Sequence, residues 1–587
     1  MARRKRKTDP VSATQPLSWQ SHKLALFSLV FFLTLTAAAY IYGPALHSPF
    51  VFDDSHLPFH TTVADRPLSF WLSAGRPVLM FSYWVNYRLG GSDPFGFHVV
   101  NLLIHAVNAG LVYLVLLRLL NLAGWSSRSK SAISAIGALI FLIHPLQTES
   151  VTYVAGRSES LASLFMLLAY VVFLYRTEEA ISWREAIAVV LLFGIAVSTK
   201  ENAAALAGVL ILTDVFWPRP FSTGRLRMNW RLYALMAPAF LAALVQTFRV
   251  LSRANSAGYS LNGLGWQQYG LTEARALFRY IQLAVFPVGQ SLDHDYPISK
   301  TLWDHGAIWF LALWVLLLAA AFLLRRRLPL TCFGLLMYLI LLAPTSSIVP
   351  LLDPLVERRM YLALAALILI GCELFARLNL PRPVLVSVVT TLVLFYGEFG
   401  YERNVEWGNP EKLFASATKE CVRNMRPYVM LTEYLIQQNR CRSAIPYLEE
   451  ASRKTRDASI YVSWGRALEC VGDRDGALQK LQQAAQLQPD SSQVFQLIGL
   501  LYGEMKMPEN AGLALRRAVE VAPNSTSAHD ALGLWYESEH DIESAENEYK
   551  RGAALDPNDW ESRVALTRIR ALKSPERGAD FEEFIPQ

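Results

Sequence analysis

Long apolar runs alternate with short polar links over residues 24–400, whereas residues 405–587 are polar and contain few such runs. A run of about 20 apolar residues is long enough to cross a bilayer as a helix. About eleven runs come close to this length, which predicts a polytopic membrane domain followed by a water-soluble domain. The predicted spans are 24–42, 98–120, 132–148, 158–175, 184–199, 202–217, 232–250, 305–324, 330–349, 359–378 and 384–400.

A further apolar stretch, 271–287, is short and carries Glu273, Arg275 and Arg279. Charged side chains are costly inside a bilayer. We therefore expect an interfacial or re-entrant helix here rather than a full span.

The basic residues indicate the orientation, because Lys and Arg are retained on the cytoplasmic side. The N-terminal run Arg3 to Lys7 is therefore expected to be cytoplasmic, and the first apolar run to be a retained anchor. With eleven spans the basic linkers share that side, and the C-terminal domain lies on the trans side, in the periplasm or a lumen. These linker residues are Arg128, Lys130, Arg219, Arg225, Arg227, Arg325, Arg326, Arg327, Arg377 and Arg382.

The composition agrees with a membrane protein. Hydrophobic residues make up 53% of the 587 residues, charged residues 18%, and the mean hydropathy is +0.24. These values exclude an ordinary soluble enzyme and a disordered chain. The net charge of +6 is spread over short loops, which favours topology signals over nucleic-acid binding.

The polar C-terminal third repeats with a period of 34 residues, the period of tetratricopeptide (TPR) repeats. Recurring positions hold small residues, aromatic residues or Pro, as in Gly465, Gly499 and Gly533. We predict about four repeats, with a half-repeat at 407–421 and a capping helix at 560–572. Such arrays stack into a solenoid with a concave binding face, and the alternative is a structural spacer.

Three of the five cysteines fall in this region, at 421, 441 and 470. Five cysteines in a chain of this length do not make a disulfide framework. One bridge among the three is an alternative, but we expect inert, buried thiols.

The predicted organisation is all-α. It comprises a basic cytoplasmic N-terminus (1–23), a transmembrane domain (24–402) with amphipathic helices in its first trans loop (43–97), a TPR domain (403–575) and a tail (576–587).

Two adjacent carboxylates, Asp53 and Asp54, stand just beyond the first predicted span, in the segment FVFDDSHLPFH. Such a pair can act as a general base or bind a cation. The structural alternative is an exposed turn or a helix cap.

A polar stripe marks the second predicted span. His98, Asn101, His105 and Asn108 are spaced three, four and three residues apart, which places them on one helical face. Hydrogen bonding between helices would explain the deeper pair, His105 and Asn108. His98 and Asn101 lie nearer the trans loop and are predicted to line a substrate pocket.

Other charged and polar residues map to the same trans side. Guanidinium and ammonium groups there would bind the phosphate of a lipid-linked donor, and the alternative is a set of salt bridges at helix ends. The predicted phosphate ligands are Lys200, Arg275, Arg279, Arg358 and Arg359. The predicted pocket comprises His98, Asn101, His144, Glu149, Arg157, Glu159, Glu201, Asp293 and Tyr361.

Several segments together resemble the transmembrane and TPR-containing O-mannosyltransferases and their bacterial relatives. The resemblance rests on FVFDDSHLP at 50–58, DPFGFHVVNLLIH within 75–113, HPLQTESVTYVAGRSESLA at 144–162, STKENAAAL at 198–206 and ERRMYLAL at 357–364, together with the terminal repeats. It implies a GT-C glycosyltransferase fold and a polyprenyl-phosphate sugar as donor. It also implies an acidic motif in the first trans loop, which Asp53 and Asp54 match.

The resulting hypothesis is an inverting transfer of a sugar, mannose in this family, to Ser or Thr hydroxyls of a translocated protein held by the TPR domain. Asp53 or Asp54 is the general base. The sequence identifies no cofactor; the polyprenyl-phosphate sugar is the donor substrate, and a divalent cation is an open option. The alternatives are a non-catalytic TPR scaffold anchored in the membrane and a GT-C transferase acting on an envelope glycan or lipid.

Short trans loops and a single Asn-x-Ser/Thr sequon at Asn524 favour a bacterial inner membrane over an endoplasmic reticulum membrane.

Overall fold

The computed structural model describes residues 34–60, 64–73, 75–125, 127–217, 221–253, 264–347, 349–421, 423–556 and 560–573. The chain divides into two compact units, Met1–Asn409 and Pro410–Gln587. Every element in the described ranges is helical, so the predicted all-α class is confirmed. The predicted N-terminal basic run, the start of the first span and the tail at 576–587 lie outside the described residues.

The first unit contains sixteen described α-helices. They are α1 (34–42), α2 (Leu68–Leu72), α3 (Pro77–Gly90), α4 (Pro94–Leu122), α5 (Ser127–Ile143), α6 (Thr148–Val151), α7 (Arg157–Leu174), α8 (Trp183–Thr199), α9 (Ala205–Phe216), α10 (Gly224–Met228), α11 (Trp230–Arg253), α12 (Trp266–Val285), α13 (Ala307–Leu324), α14 (Pro329–Leu342), α15 (Met360–Arg377) and α16 (Arg382–Trp407).

Five described segments are long and apolar enough to cross a membrane: Pro94–Leu122, Val154–Leu174, Asp304–Leu324, Glu357–Arg377 and Arg382–Trp407. A sixth is the pair Lys130–Ile143 and Pro145–Val151, which is bent by 53°. Shorter apolar helices cover Trp230–Val245 and Pro329–Leu342. Several apolar helices therefore fit a membrane protein, while the number of about eleven spans and the orientation stay predictions.

The core of this unit lies where α4, α5, α7, α8 and α15 pack side by side. Large apolar side chains such as Phe141, Tyr170 and Phe193 are fully buried there. By contrast, α13 leaves most of its apolar surface outside the protein, as expected for a helix that faces lipid.

Short 3₁₀ turns interrupt the helices of the first unit. They cover Gly43–Ala45, Phe52–His56, Pro58–His60, Pro145–Gln147, Val154–Gly156, Glu201–Ala204, Asp304–Gly306 and Glu357–Arg359. Three of these turns carry predicted site residues. They place charged side chains at helix ends rather than on continuous helical faces.

The second unit contains ten described helices, arranged as consecutive antiparallel pairs. They are α17 (Pro410–Lys419), α18 (Arg426–Gln437), α19 (Cys441–Lys454), α20 (Ala458–Cys470), α21 (Arg474–Leu487), α22 (Ser492–Glu504), α23 (Pro508–Val521), α24 (Thr526–Ser538), α25 (Ile542–Leu555) and α26 (Trp560–Lys573).

The recurring glycines explain why each pair packs closely. A Cβ atom on Gly465 would lie 2.7 Å from Leu481, and one on Gly499 would lie 2.5 Å from Leu515. Gly533 occupies the same place in the next repeat and is equally crowded. Only a residue without a side chain allows the two helices of a repeat this approach.

The expectation of inert thiols is wrong for Cys441 and Cys470, which form a disulfide with 6.0 Å between their Cα atoms. Cys441 begins α19 and Cys470 ends α20, so the antiparallel packing of these helices places them side by side. Cys421 fits the expectation, because it is a buried thiol that donates to the carbonyl of Ala417 (3.1 Å). A structural disulfide is typical of an oxidising compartment.

Candidate functional site

The two adjacent aspartates lie on the 3₁₀ turn Phe52–His56, yet their side chains have opposite environments. Asp54 is 1% exposed, whereas Asp53 is exposed. Phe52, immediately before them, has a φ of 55°, a left-handed conformation that is strained for a large side chain. Such strain is often found at functional sites.

Asp54 joins the first loop to the turn Val154–Gly156. Its carboxylate accepts hydrogen bonds from the N–H groups of Ala155 (2.7 Å) and Val51 (3.3 Å). Burial raises the pKa of Asp54 to about 7 despite these bonds. Asp54 therefore holds two backbone segments together.

Asp53 faces outward beside Tyr153. Its N–H donates to the Tyr153 hydroxyl oxygen (3.0 Å), and the Tyr153 ring stacks on Trp407 with centroids 5.7 Å apart. The same hydroxyl lies within electrostatic range of both Asp53 and Arg358. An accessible carboxylate and a cation thus flank one buried tyrosine.

Three ion pairs each join segments that are distant in sequence, and one of them, Arg358 with Glu149, lies within electrostatic range of Tyr153. Arg358 Nη1 contacts Glu149 Oε1 (2.6 Å), and the Arg358 N–H donates to the other oxygen of Glu149 (2.9 Å). Lys200 Nζ contacts Glu159 Oε1 (2.5 Å). These two pairs bring together four of the predicted site residues.

The third pair joins Arg76, which was not predicted, to Glu201. The guanidinium donates from Nη2 to Oε1 (2.5 Å) and from Nε to Oε2 (3.1 Å). Although burial alone would raise the pKa of Glu201, Arg76 holds it below its usual value. Asn202, the neighbour of Glu201 in sequence, also donates to Glu159 (3.0 Å). Arg358 lies within electrostatic range of Glu159 and Lys200, so the three pairs are neighbours and are called the group of ion pairs.

Of the five predicted phosphate-binding cations, two lie in the group of ion pairs and three hydrogen-bond to loop segments. Lys200 and Arg358 lie in the group of ion pairs, within electrostatic range of each other. Arg275 donates to the carbonyl of Pro297 and the hydroxyl of Ser299 (both 2.9 Å).

The other two predicted cations also bind backbone. Arg279 donates to the carbonyls of Val288 (3.3 Å) and Gly289 (3.1 Å). Arg359 donates to those of Asp353 (2.8 Å) and Pro354 (3.0 Å).

The polar stripe on α4 is buried between helices. The His98 ring contacts the hydroxyl oxygen (3.2 Å) and the carbonyl oxygen (3.1 Å) of Ser48. Asn101 donates to the carbonyl of Val151 (3.0 Å). His105 and Asn108 both contact the Tyr361 hydroxyl, at 2.8 and 2.9 Å. For His105 and Asn108 these contacts are the hydrogen bonds between helices that the structural alternative describes. The pocket role of His98 and Asn101 stays a prediction.

Arg157 is the most completely buried charge of the predicted pocket, at 0% exposure. It donates to Asn101 (2.6 Å), Asn86 (2.8 Å) and the carbonyl of Phe97 (3.0 Å). The Tyr83 ring lies 4.7 Å from the guanidinium carbon. Arg157, at the start of α7, thus connects this helix to α3 and α4 through hydrogen bonds.

Two other predicted pocket residues, His144 and Asp293, are buried and hydrogen-bonded. His144 contacts the carbonyl of Ala284 (2.9 Å) and accepts from the N–H of Leu146 (3.2 Å). Asp293 is buried in the loop after α12, where its N–H donates to Ser291 (3.3 Å). Their contact with a substrate stays a prediction.

Residues that the sequence interpretation did not select complete the site. Tyr153 and Asn202 lie inside segments that were singled out, and Arg76 precedes Pro77 at the start of α3. One sequence does not mark these three residues as parts of a site, because Tyr and Asn carry no charge and Arg76 has no charged residue next to it in sequence.

The donor groups near Asp53 bear on the divalent cation that the sequence leaves as an open option. Among the residues for which the structure gives positions, no three His, Cys, Asp or Glu side chains are grouped so that they could hold a metal ion. Asp54 uses its carboxylate on backbone N–H groups, which leaves Asp53 without a second carboxylate ligand beside it.

The second unit has an open groove between α22 and α24. A cavity of about 560 Å³ is lined there by Gly499, Leu500, Gly503, Leu534 and Trp535, among others. Leu500 is 46% exposed and Leu534 is 51% exposed, so apolar surface faces the groove.

Curated proteins similar in sequence to this chain include protein O-mannosyl-transferases. A protein O-mannosyl-transferase of Caenorhabditis elegans is 25% identical over 431 residues, covering 70% of this chain and 60% of that protein. Tmtc1 of Drosophila melanogaster is 26% identical over 303 residues, covering 45% and 34%. TMTC3 of Mus musculus is 27% identical over 203 residues, covering 31% and 21%.

The curated relatives are TMTC protein O-mannosyl-transferases. Their names support a glycosyltransferase. The chain spans about 60% of the nematode relative and a smaller part of the other two. No protein-family model matches the chain.

Among solved structures, a TPR protein from Thermus thermophilus is 19% identical, with a TM-score of 0.25, covering 30% of this chain and 94% of that one. The TPR protein YrrB is 20% identical, with a TM-score of 0.23, covering 28% and 87%.

Proposed function

We propose that this protein is a membrane glycosyltransferase that moves mannose from a polyprenyl-phosphate donor to Ser or Thr hydroxyls of a translocated protein, with inversion at the anomeric carbon. The names of its relatives support protein O-mannosylation. The observation that carries the chemistry is the accessible carboxylate of Asp53 beside Tyr153 and Arg358.

Asp53 is the base in this proposal, because an acceptor hydroxyl can reach an exposed carboxylate. Asp54 is buried and uses both carboxylate oxygens on backbone N–H groups, which suits a positioning role. The acceptor oxygen attacks the anomeric carbon while its proton passes to Asp53. General base catalysis of this kind contributes about 10²–10⁴-fold.

The bond between the anomeric carbon and the phosphate oxygen breaks in the same step, and the polyprenyl phosphate leaves with its electron pair. In this proposal Arg358 and Lys200 stabilise the negative charge that develops on the phosphate. Arg358 lies within electrostatic range of Tyr153, and Lys200 lies within electrostatic range of Arg358. Fixed cations in a site of low dielectric stabilise such charge strongly.

The open groove of the second unit is proposed to hold the acceptor protein. Exposed leucines and Trp535 offer apolar contacts to an extended segment, as the concave faces of helical repeats do.

A second candidate, the non-catalytic scaffold, has one observation in its favour. Arg76, Lys200 and Arg358 each form an ion pair with a glutamate, so the charges of the three pairs balance within the protein. A site that binds phosphate must exchange some of these contacts for phosphate oxygens.

Glycoproteomics of the exported proteins, with and without the gene, tests the activity and the acceptor class together. The proposal expects hexose on Ser or Thr of exported proteins, lost on deletion and restored by the wild-type gene. An unchanged set of glycopeptides would favour the scaffold, and a loss confined to envelope glycans or lipids would favour another acceptor.

A further inference from the structure

Arg76 differs from the other cations of the site in its exposure. Its side chain is 38% exposed, against 26% for Arg358 and 13% for Lys200. Among the three paired cations it is therefore the one that an incoming ligand meets with the least rearrangement.

The backbone fixes the position of Arg76. Pro77 occupies the first turn of α3, where its ring favours the start of a helix, and the carbonyl of Arg76 accepts the N–H of Met80 (3.0 Å). The side chain thus leaves from a defined helix end, and only the guanidinium and its stem need to move.

The guanidinium retains donors for a second ligand. Its two bonds to Glu201 use two of the five N–H groups of an arginine. Arg76 also lies within electrostatic range of Glu159 and Lys200, so it borders the group that holds the proposed phosphate ligands. A planar fork that already binds a carboxylate through two bonds can bind phosphate in the same way.

We infer that Arg76 is a further anion-binding residue of this site and that it binds the phosphate of the polyprenyl-phosphate donor, with phosphate oxygens taking its free N–H groups or replacing Glu201. This inference rests on the proposed function. Glu201 then orients the guanidinium before the donor arrives.

The test measures binding and turnover separately, with purified full-length protein in detergent. Polyprenyl phosphate without sugar is the binding probe. The variants are Arg76→Ala, Arg76→Gln and Arg76→Lys, with the same three changes at Arg88 as controls. Arg88 is an exposed arginine in the last turn of α3, the helix that Arg76 precedes, and it lies over Trp84.

We expect Arg76→Ala and Arg76→Gln to weaken binding of the probe at least tenfold, and to raise the KM for the lipid-linked donor more than they lower kcat. Arg76→Lys retains the charge without the fork and should fall between these variants and the wild type. Arg88 variants should bind like the wild type. A purely structural role would lower the melting temperature without weakening probe binding by the folded variants, so the melting temperature of each variant is measured beside its affinity.

Wild-type binding by all Arg76 variants, or no binding by the wild type itself, overturns the inference. Binding that depends on Arg76 in a protein that transfers no mannose leaves the inference standing and removes the proposed function. If Arg76→Ala does not fold, the comparison between Arg76→Gln and Arg76→Lys decides.

Discussion

Charged residues are used differently in the two units. In the first unit, Arg157 and the carboxylates Glu149 and Glu159 are almost fully buried, and their partners come from distant segments. In the repeats, a typical pair is Arg474 with Glu504, whose side chains are both about half exposed. Buried charges must be paired to be tolerated, whereas exposed pairs contribute little. The buried charges of the first unit therefore depend on specific partners in a way that exposed pairs such as Arg474 with Glu504 do not.

Removing Arg157 should give the largest loss of stability. Arg157→Leu leaves the buried amide oxygens of Asn101 and Asn86 without their donor. The expected loss exceeds about 3 kcal/mol, because each unsatisfied buried acceptor costs roughly 1–3 kcal/mol. Arg474→Leu is the matched change in an exposed pair and should cost less than about 1 kcal/mol. Thermal unfolding of the two full-length variants measures both, and equal losses would contradict the comparison.

Glycines in the two units also differ in how much space surrounds them. A Cβ on Gly156 would lie 2.4 Å from the carbonyl oxygen of Glu149, whereas one on Gly503 meets nothing within 4 Å. Gly156→Ala should therefore displace Glu149 and destabilise the protein, by about 1–3 kcal/mol as in other overpacked sites. Gly503→Ala should stabilise α22 by about 0.4–1 kcal/mol. Unfolding curves that shift in the same direction would show that Gly156 is not as crowded as described.

A smaller effect should appear as a pH dependence. Burial raises the pKa of Asp54 from 3.8 to about 7. Because the folded state keeps its proton to a higher pH than the unfolded state, the contribution of Asp54 to stability is present below about 4 and is lost as pH rises to about 7. The melting temperature of the wild type should fall through this window more than that of Asp54→Asn. Parallel curves for the two proteins would contradict the raised pKa.

Much of the secondary structure follows from local patterns. Apolar runs predict helices such as α4 and α15, and the 34-residue period predicts the helix pairs around Gly465 and Gly499. These features depend on neighbours a few residues apart, so one sequence contains the information. The predicted span 330–349 runs past the end of α14 at Leu342, because it includes the polar residues 345–347.

The contacts of the candidate site could not be predicted from local sequence patterns, because they join residues that are distant in the chain. Asp53 and Asp54 look equivalent in sequence, and only the turn with a left-handed Phe52 directs one outward and the other inward. Glu149 and Arg358 are 209 positions apart, so their pairing follows from tertiary packing. The disulfide between Cys441 and Cys470 likewise needed the helix pairing to be known.

The most direct test of the central claim is the rate of mannose transfer by purified Asp53→Asn. The substitution retains the size of the side chain and removes its basicity, and Asp65→Asn is the control at an exposed carboxylate of the same loop. With polyprenyl-phosphate mannose and an acceptor peptide rich in Ser and Thr, the account predicts that Asp53→Asn loses about 10²–10⁴-fold in rate while retaining the wild-type melting temperature. Asp65→Asn should transfer mannose like the wild type. A fully active Asp53→Asn protein would contradict the account.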